Sequence, residues 1–249
     1  MTSPTDASER DALPNVWPAL VVVVLLAAIT GFVDAIAFGR FLGVFPANQS
    51  GNAVFLGMAI GGSPVSTAWR PATSMVGFAL GIVVAQLVRR RVRGPQQTPR
   101  LGAWLLVCEL ALFVALIVIT GPIDRVHVVG GGEGFVLIVL ASMAMGVQTE
   151  VIRRVAGTAV ATTYQTGAIA RMGEAVSRVL SRTARLREER EVVVLLLVLA
   201  AYVGGAAVGA AAPGRWRWSM ILVATVLAVL AVVWFVAPRR VVGDAEAAQ

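Results

Sequence analysis

The chain has 249 residues, of which 57% are hydrophobic and 14% charged, and its mean hydropathy is +0.80. Soluble domains are about 45–50% apolar and about 25% charged, so this composition excludes a soluble enzyme, a disordered chain and a coiled coil. The net charge is +7 and all 21 basic residues are arginine. In a soluble protein that would suggest nucleic acid, but these arginines lie between long apolar runs, where they orient a chain in a bilayer. The expected partner is therefore lipid, with no nucleic acid.

In chain order, residues 1–16 carry Asp6, Glu9, Arg10 and Asp11 and lack the basic start and cleavage site of a signal peptide. The first apolar run is therefore read as a retained span. Runs at about 17–38, 71–88, 101–120, 134–152, 191–212 and 217–237 are long enough to cross a bilayer. Two further runs, about 50–62 and 166–177, are too short. Each follows a turn-like stretch, Phe45-Pro46-Ala47-Asn48-Gln49 or Ala161-Thr162-Thr163-Tyr164-Gln165, and starts after a capping hydroxyl, Ser50 or Thr166. Residues 1–16 and 239–249 are expected to be disordered termini of one membrane domain.

Arginine placement bears on whether the short runs cross. If all eight segments spanned, the loops would hold 10 arginines on each side, leaving out Arg171; with the two short segments re-entrant, the division becomes 15 to 5. The second arrangement obeys the positive-inside rule. It gives an all-α polytopic protein of the bacterial cytoplasmic membrane with six spans and both termini cytoplasmic. Trp17, Trp69, Trp104, Trp216, Trp218 and Trp234 fall near proposed span ends, as interfacial indoles do.

The two short segments also align with each other at an offset of 116, pairing Asp34 with Glu150, Gln49 with Gln165, Ser50 with Thr166, Gly51 with Gly167 and Gly57 with Gly173. The following spans both carry GxxxG, Gly77/Gly81 and Gly205/Gly209, in a register ambiguous by one turn. Each half then reads span, half-helix, span, span, over about 17–120 and 134–237. With three spans per half, the second half is inverted, an architecture typical of secondary transporters and some channels.

The strings GFVDAIAF, FPANQSGNAVFLGMAIGG, MGVQTEVIRR and VATTYQTGAIARMGE resemble the YoaK-like family of bacterial membrane proteins, a domain of unknown function, over roughly 17–237. Ser50 stands where many members of that family carry threonine. The resemblance implies a multi-span bacterial membrane protein and names no substrate.

The residues themselves suggest a chemistry. Two half-helices entering from opposite faces would point their N-termini at each other. A helix N-terminus presents unpaired N–H groups and about half a positive charge, which suits a small polar or anionic solute. Candidate binding residues are Gln49, Ser50, Gly51, Asn52, Gln165, Thr166 and Gly167. Asp34, Glu109 and Glu150 lie in apolar runs and are candidates for proton or ion coupling. A structural alternative pairs Asp34 with Arg40 and Glu150 with Arg153 or Arg154. Arg171, Glu174 and Arg178 have the spacing of a helix-surface ion-pair ladder.

An enzyme is not expected. Ser50 lacks a neighbouring base, since His127 sits in a connecting loop and the chain has no lysine. One histidine and one cysteine, Cys108, cannot build a His/Cys zinc site, and no cofactor motif is present. The leading expectation is a transporter or channel. The alternative is a membrane scaffold or accessory protein that uses its GxxxG faces for partners, including a second copy in a homodimer.

Overall fold

The computed structural model describes residues 17–41, 43–62, 68–92, 99–120, 131–151, 154–155, 158–159, 165–181, 186–212 and 216–236. Both termini, His127 and much of the arginine-rich connecting sequence lie outside the described residues, as do the side chains of Arg40, Gln165 and Thr166. Eight α-helices appear among the described residues: α1 Trp17–Ile36, α2 Gln49–Gly61, α3 Trp69–Arg91, α4 Pro99–Thr120, α5 Gly131–Gln148, α6 Gln165–Leu180, α7 Leu186–Ala211 and α8 Trp216–Val236. A two-residue antiparallel ladder, Arg154–Val155 with Thr158–Ala159, lies between α5 and α6. Helices dominate because a chain in hydrocarbon must satisfy each backbone polar group internally.

Five helices, α1, α3, α4, α7 and α8, are long and apolar enough to cross a membrane. The sixth expected span is α5, whose 18 residues reach about 27 Å, but its apolar part, Gly134–Gln148, is shorter than the other five. Helix α2 has 13 residues and α6 has 16, lengths of about 20 and 24 Å, both short of the ~30 Å hydrocarbon layer.

Glycine determines how the long helices meet. A Cβ on Gly205 of α7 would run into the Ala28 carbonyl of α1, and one on Gly31 of α1 would run into the Tyr202 carbonyl. The same pair of contacts recurs between α3 and α5: Gly81 lies on the Met143 carbonyl, and Gly146 on the Phe78 carbonyl. Gly77 adds contacts to Val139 and Ser142, and Gly209 to Phe32. Small residues allow this approach, which maximises dispersion contact where lipid removes any hydrophobic drive between helices. In these contacts Gly146 takes the part at the α3/α5 crossing that Gly31 takes at the α1/α7 crossing, and Gly81 the part of Gly205. Both GxxxG faces are therefore covered within the chain, one of the two uses that their spacing suggests, close packing inside one chain or between two copies.

These contacts also give helix directions. Numbers rise together along α1 and α7, and along α3 and α5, so both pairs are parallel. Helices α4 and α8 run antiparallel. Gly102 and Trp104 near the start of α4 meet Trp234 and Phe235 at the end of α8, the latter pair edge to face with centroids 5.9 Å apart. Trp234 is thus packed inside, 9% exposed, whereas Trp104 and Trp218 expose their rings as interfacial tryptophans do. Among the short helices, α2 packs on α3, and α6 on α7.

Candidate functional site

The chain turns from α1 into α2 through one π-helical turn, Ala37–Phe41. Gly43 closes it with φ +66°, a left-handed conformation that a side chain would oppose, and its N–H donates to the Ala37 carbonyl. Helix α2 starts two residues earlier than a cap at Ser50 implies. Its cap is Asn48, whose Oδ1 accepts from the Gly51 N–H at 3.3 Å. Ser50 does not cap. It is exposed, and its hydroxyl donates to Asn48 Oδ1 at 2.8 Å. Asn48 stands three residues before Gly51, the spacing from which an N-cap oxygen accepts the N3 N–H.

The first turn of α2 points a polar cluster into the bundle. Asn52 is fully buried. Its amide nitrogen lies within hydrogen-bonding distance of the Phe45 carbonyl (2.6 Å), Gln49 Oε1 (2.9 Å) and Ser74 Oγ of α3 (2.9 Å), acceptors that share its two protons, and its oxygen accepts from the Phe45 N–H (3.0 Å). Ser74 in turn shares a 2.8 Å hydrogen bond with Ser142 of α5. Gln49 Nε2 donates to the Pro46 carbonyl at 2.8 Å. Residues 45–48 thus have no regular structure yet retain hydrogen-bond partners, as irregular backbone at membrane depth requires. A Cβ on Gly51 would lie 2.9 Å from the Phe45 ring, so that glycine makes room for the chain's own phenylalanine. Phe45 lies in near-parallel contact with Phe38 and Phe55 at centroid distances of 4.5 and 5.9 Å.

The second half-helix differs. Gly167 is exposed, with open space where a Cβ would stand. Gln165 and Thr166 open α6, but their side chains lie outside the described residues. Extended packing is found for α2 with α3 and for α6 with α7, and not between the two short helices. The ladder proposed along α6 does not form between its first two members: no ion pair joins Arg171 to the exposed Glu174. At a solvated surface such a pair returns too little to hold two long side chains in place.

The three buried carboxylates have three different environments. Asp34 Oδ1 accepts from the Ala47 N–H at 2.8 Å and Oδ2 from the Tyr202 hydroxyl of α7 at 2.9 Å. It thereby ties the turn before α2 to both α1 and α7. Glu150 Oε2 accepts from Gln86 Nε2 at 2.7 Å and pairs with Arg89 at 3.2 Å, both on α3. The side chains of Arg40, Arg153 and Arg154, the sequence-near candidates, lie outside the described residues; the described partners of Glu150 come from α3, because parallel packing brings the end of α3 beside the end of α5. Glu109 is fully buried and neither carboxylate oxygen has a hydrogen-bond partner.

Sequence reading missed Ser74, Ser142, Tyr202, Gln86 and Arg89, and also a link from Gln148 of α5 to Thr30 (2.7 Å) and the Leu26 carbonyl (3.0 Å) of α1. Isolated polar residues within apolar runs were the available signal. Among the described residues no group of His, Cys, Asp and Glu is placed to hold a metal ion.

A bundle of long apolar helices joined by buried polar contacts defines a polytopic membrane protein. The chain belongs to the DUF1275 family, described as a protein of unknown function, whose pattern matches residues 22–234. It is 29% identical over 205 residues to the UPF0700 transmembrane protein YoaK of Bacillus subtilis (strain 168), covering 82% of this chain and 88% of that one. No solved structure matches the chain. Family and fold agree on a multi-pass bacterial membrane protein.

Proposed function

We propose that this protein is a secondary transporter or channel for a small polar or anionic solute, not an enzyme, built from two inverted three-span halves. The observation that carries the reading is the pairing of helices. If α5 crosses, antiparallel α4 and α8 and the parallel pairs α1/α7 and α3/α5 suit six crossings, with α2 and α6 returning to the face they left. Eight crossings would make α4 and α8 parallel. The matched glycine contacts support a two-fold relation between halves, and the positive-inside rule then puts both termini in the cytoplasm.

The polar first turn of α2, with Gln49, Ser50, Gly51 and Asn52, is the solute-facing element of the first half, and Gln165, Thr166 and Gly167 are its counterparts. Intramembrane polar groups are expensive and mark pathways in transporters. Asp34 and Glu150, each at the end of the first span of its half, couple solute movement to ions. That the GxxxG faces pack inside the chain supports transport over the alternative, a scaffold that would use those faces for partners.

The test is a solute-uptake screen in proteoliposomes, followed by a double-mutant cycle on the solute found. Ser50 is exposed, so Ser50→Ala leaves the fold intact. Ser50→Ala and Thr166→Ala should couple by about 0.5–3 kcal/mol in solute affinity, whereas independent sites add within about 0.5 kcal/mol. Strict additivity would remove the shared site, and a screen with no flux would remove the transport reading.

A further inference from the structure

Asp34, Glu109 and Glu150 are all buried, at 2%, 0% and 6% exposure. Asp34 receives two hydrogen bonds, and Glu150, just past the end of α5, faces an arginine and an amide. Glu109 receives nothing on either oxygen. It lies at the middle of the 22-residue α4, on the stripe that buries Leu105, Leu106, Phe113 and Leu116. Helices α3, α5 and α8 pack against α4. The charged or titratable groups with described side chains on these elements are Arg70 and Arg89 to Arg91 at the ends of α3, Arg217 at the start of α8, and Cys108 beside Glu109 itself. None of them bonds the Glu109 carboxyl.

We infer that Glu109 is a proton-binding site of the membrane interior: a carboxylic acid that holds its proton in the structure described here and exchanges it with water. An ionised carboxylate at this place would forfeit its hydration with no hydrogen bond or counter-charge in return. A proton on one oxygen removes the charge. The acid O–H then has no acceptor among the described residues and is free of hydrogen bonds, so its replacement is set by the access of water and not by an internal partner. Asp34 and Glu150 have partners that compensate a negative charge. Glu109 is therefore distinguished by what surrounds it, and the ligand it takes is the proton. The inference does not depend on transport, because it concerns proton occupancy and not flux.

Infrared spectroscopy of the full chain in phosphatidylcholine vesicles tests it. The wild type should show a carbonyl stretch of a protonated, non-hydrogen-bonded acid, and that band should be lost in Glu109→Gln. Transfer to heavy water should shift the wild-type band downward as the acid proton is replaced by deuterium. No such band, or a band that persists in Glu109→Gln, overturns the assignment. A band that never shifts in heavy water overturns the exchange. Should Glu109→Gln fail to fold, Glu109→Asp keeps the acid on a shorter stem and must keep a heavy-water-sensitive band; its absence in folded Glu109→Asp also overturns the site.

Discussion

The two short helices occupy equivalent places in the sequence and differ in nearly every physical respect. Helix α2 inserts a buried amide, Asn52, into a network that reaches α3 and α5. The residue of α6 at the same offset of 116 is Ala168, buried by packing and with nothing to donate. Helix α6 instead segregates its residues. Arg171, Glu174 and Arg178 share one side, while Ile169, Val176 and Leu180 form an exposed apolar stripe on the other. Repetition of small and polar residues at the start of each helix therefore preserves where a chain turns, and leaves the work of the turn free to diverge. The carboxylates diverge too. Where Gly31 meets the Tyr202 carbonyl, Gly146 meets that of Phe78; Asp34 receives the Tyr202 hydroxyl, whereas Glu150 meets Gln86 and Arg89 at the end of α3.

The largest effects should fall where the halves remain alike. Gly81→Ala and Gly205→Ala each force a methyl group into a facing backbone carbonyl, and overpacking of this sort costs about 1–3 kcal/mol or somewhat more. Thermal unfolding in detergent should place both at the upper end of that range and within about 1 kcal/mol of each other. A tolerated substitution in one half only would break the equivalence of the α1/α7 and α3/α5 crossings.

Divergence should appear one step lower. Asn52→Ala leaves the buried Phe45 N–H without its acceptor, a loss of about 1–3 kcal/mol. At the matching place, Ala168→Gly removes only a methyl group and some helix propensity, about 1 kcal/mol. Equal destabilisation at the two positions, read by the same melting measurement, would mean that the α2 network contributes no more than simple packing.

Much of this organisation was legible in advance, for identifiable reasons. Apolar run length gave the long helices, because hydrocarbon thickness sets a minimum length that sequence displays directly. The shortness of α2 and α6 followed from the same rule. Partners across the bundle were not legible. Proximity in sequence suggests Arg153 and Arg154 for Glu150, side chains outside the described residues, and does not announce Arg89, which reaches it from 61 positions away. Asn52 was named as a solute ligand on its place beside Gln49, and nothing local announced Ser74 and Ser142 as its companions. The GxxxG faces were legible as packing faces, but not which helix would cover them.

Topology supplies a sharper form of the comparison, because opposite faces are required if the halves are inverted. In a Cys108-free background, cysteines at Gly62 and Gly131 should react with a membrane-impermeant thiol reagent applied outside intact cells. A cysteine at Gly94 should stay protected. Labelling at Gly94 together with protection at Gly131 would reverse the orientation and with it the faces from which α2 and α6 return.

The smallest expected effect discriminates between two side chains that sequence reading could not separate. Asn48 accepts from the Gly51 N–H, and also accepts the Ser50 hydroxyl. Removing an N-cap side chain costs about 0.5–2 kcal/mol, so Asn48→Ala should lower stability by about 1 kcal/mol. Ser50→Ala removes a donor that is exposed and can be replaced by water, and exposed changes of this kind usually fall within about 0.5 kcal/mol. Asn48→Ser should recover part of the loss, since serine is itself a good cap from that position. If Ser50→Ala were the more damaging change, the hydroxyl would be the true cap, and α2 would start where its sequence first suggested. That result would also restore to Asn48 the freedom to face a solute, and so shift the solute-facing turn of the first half by two residues.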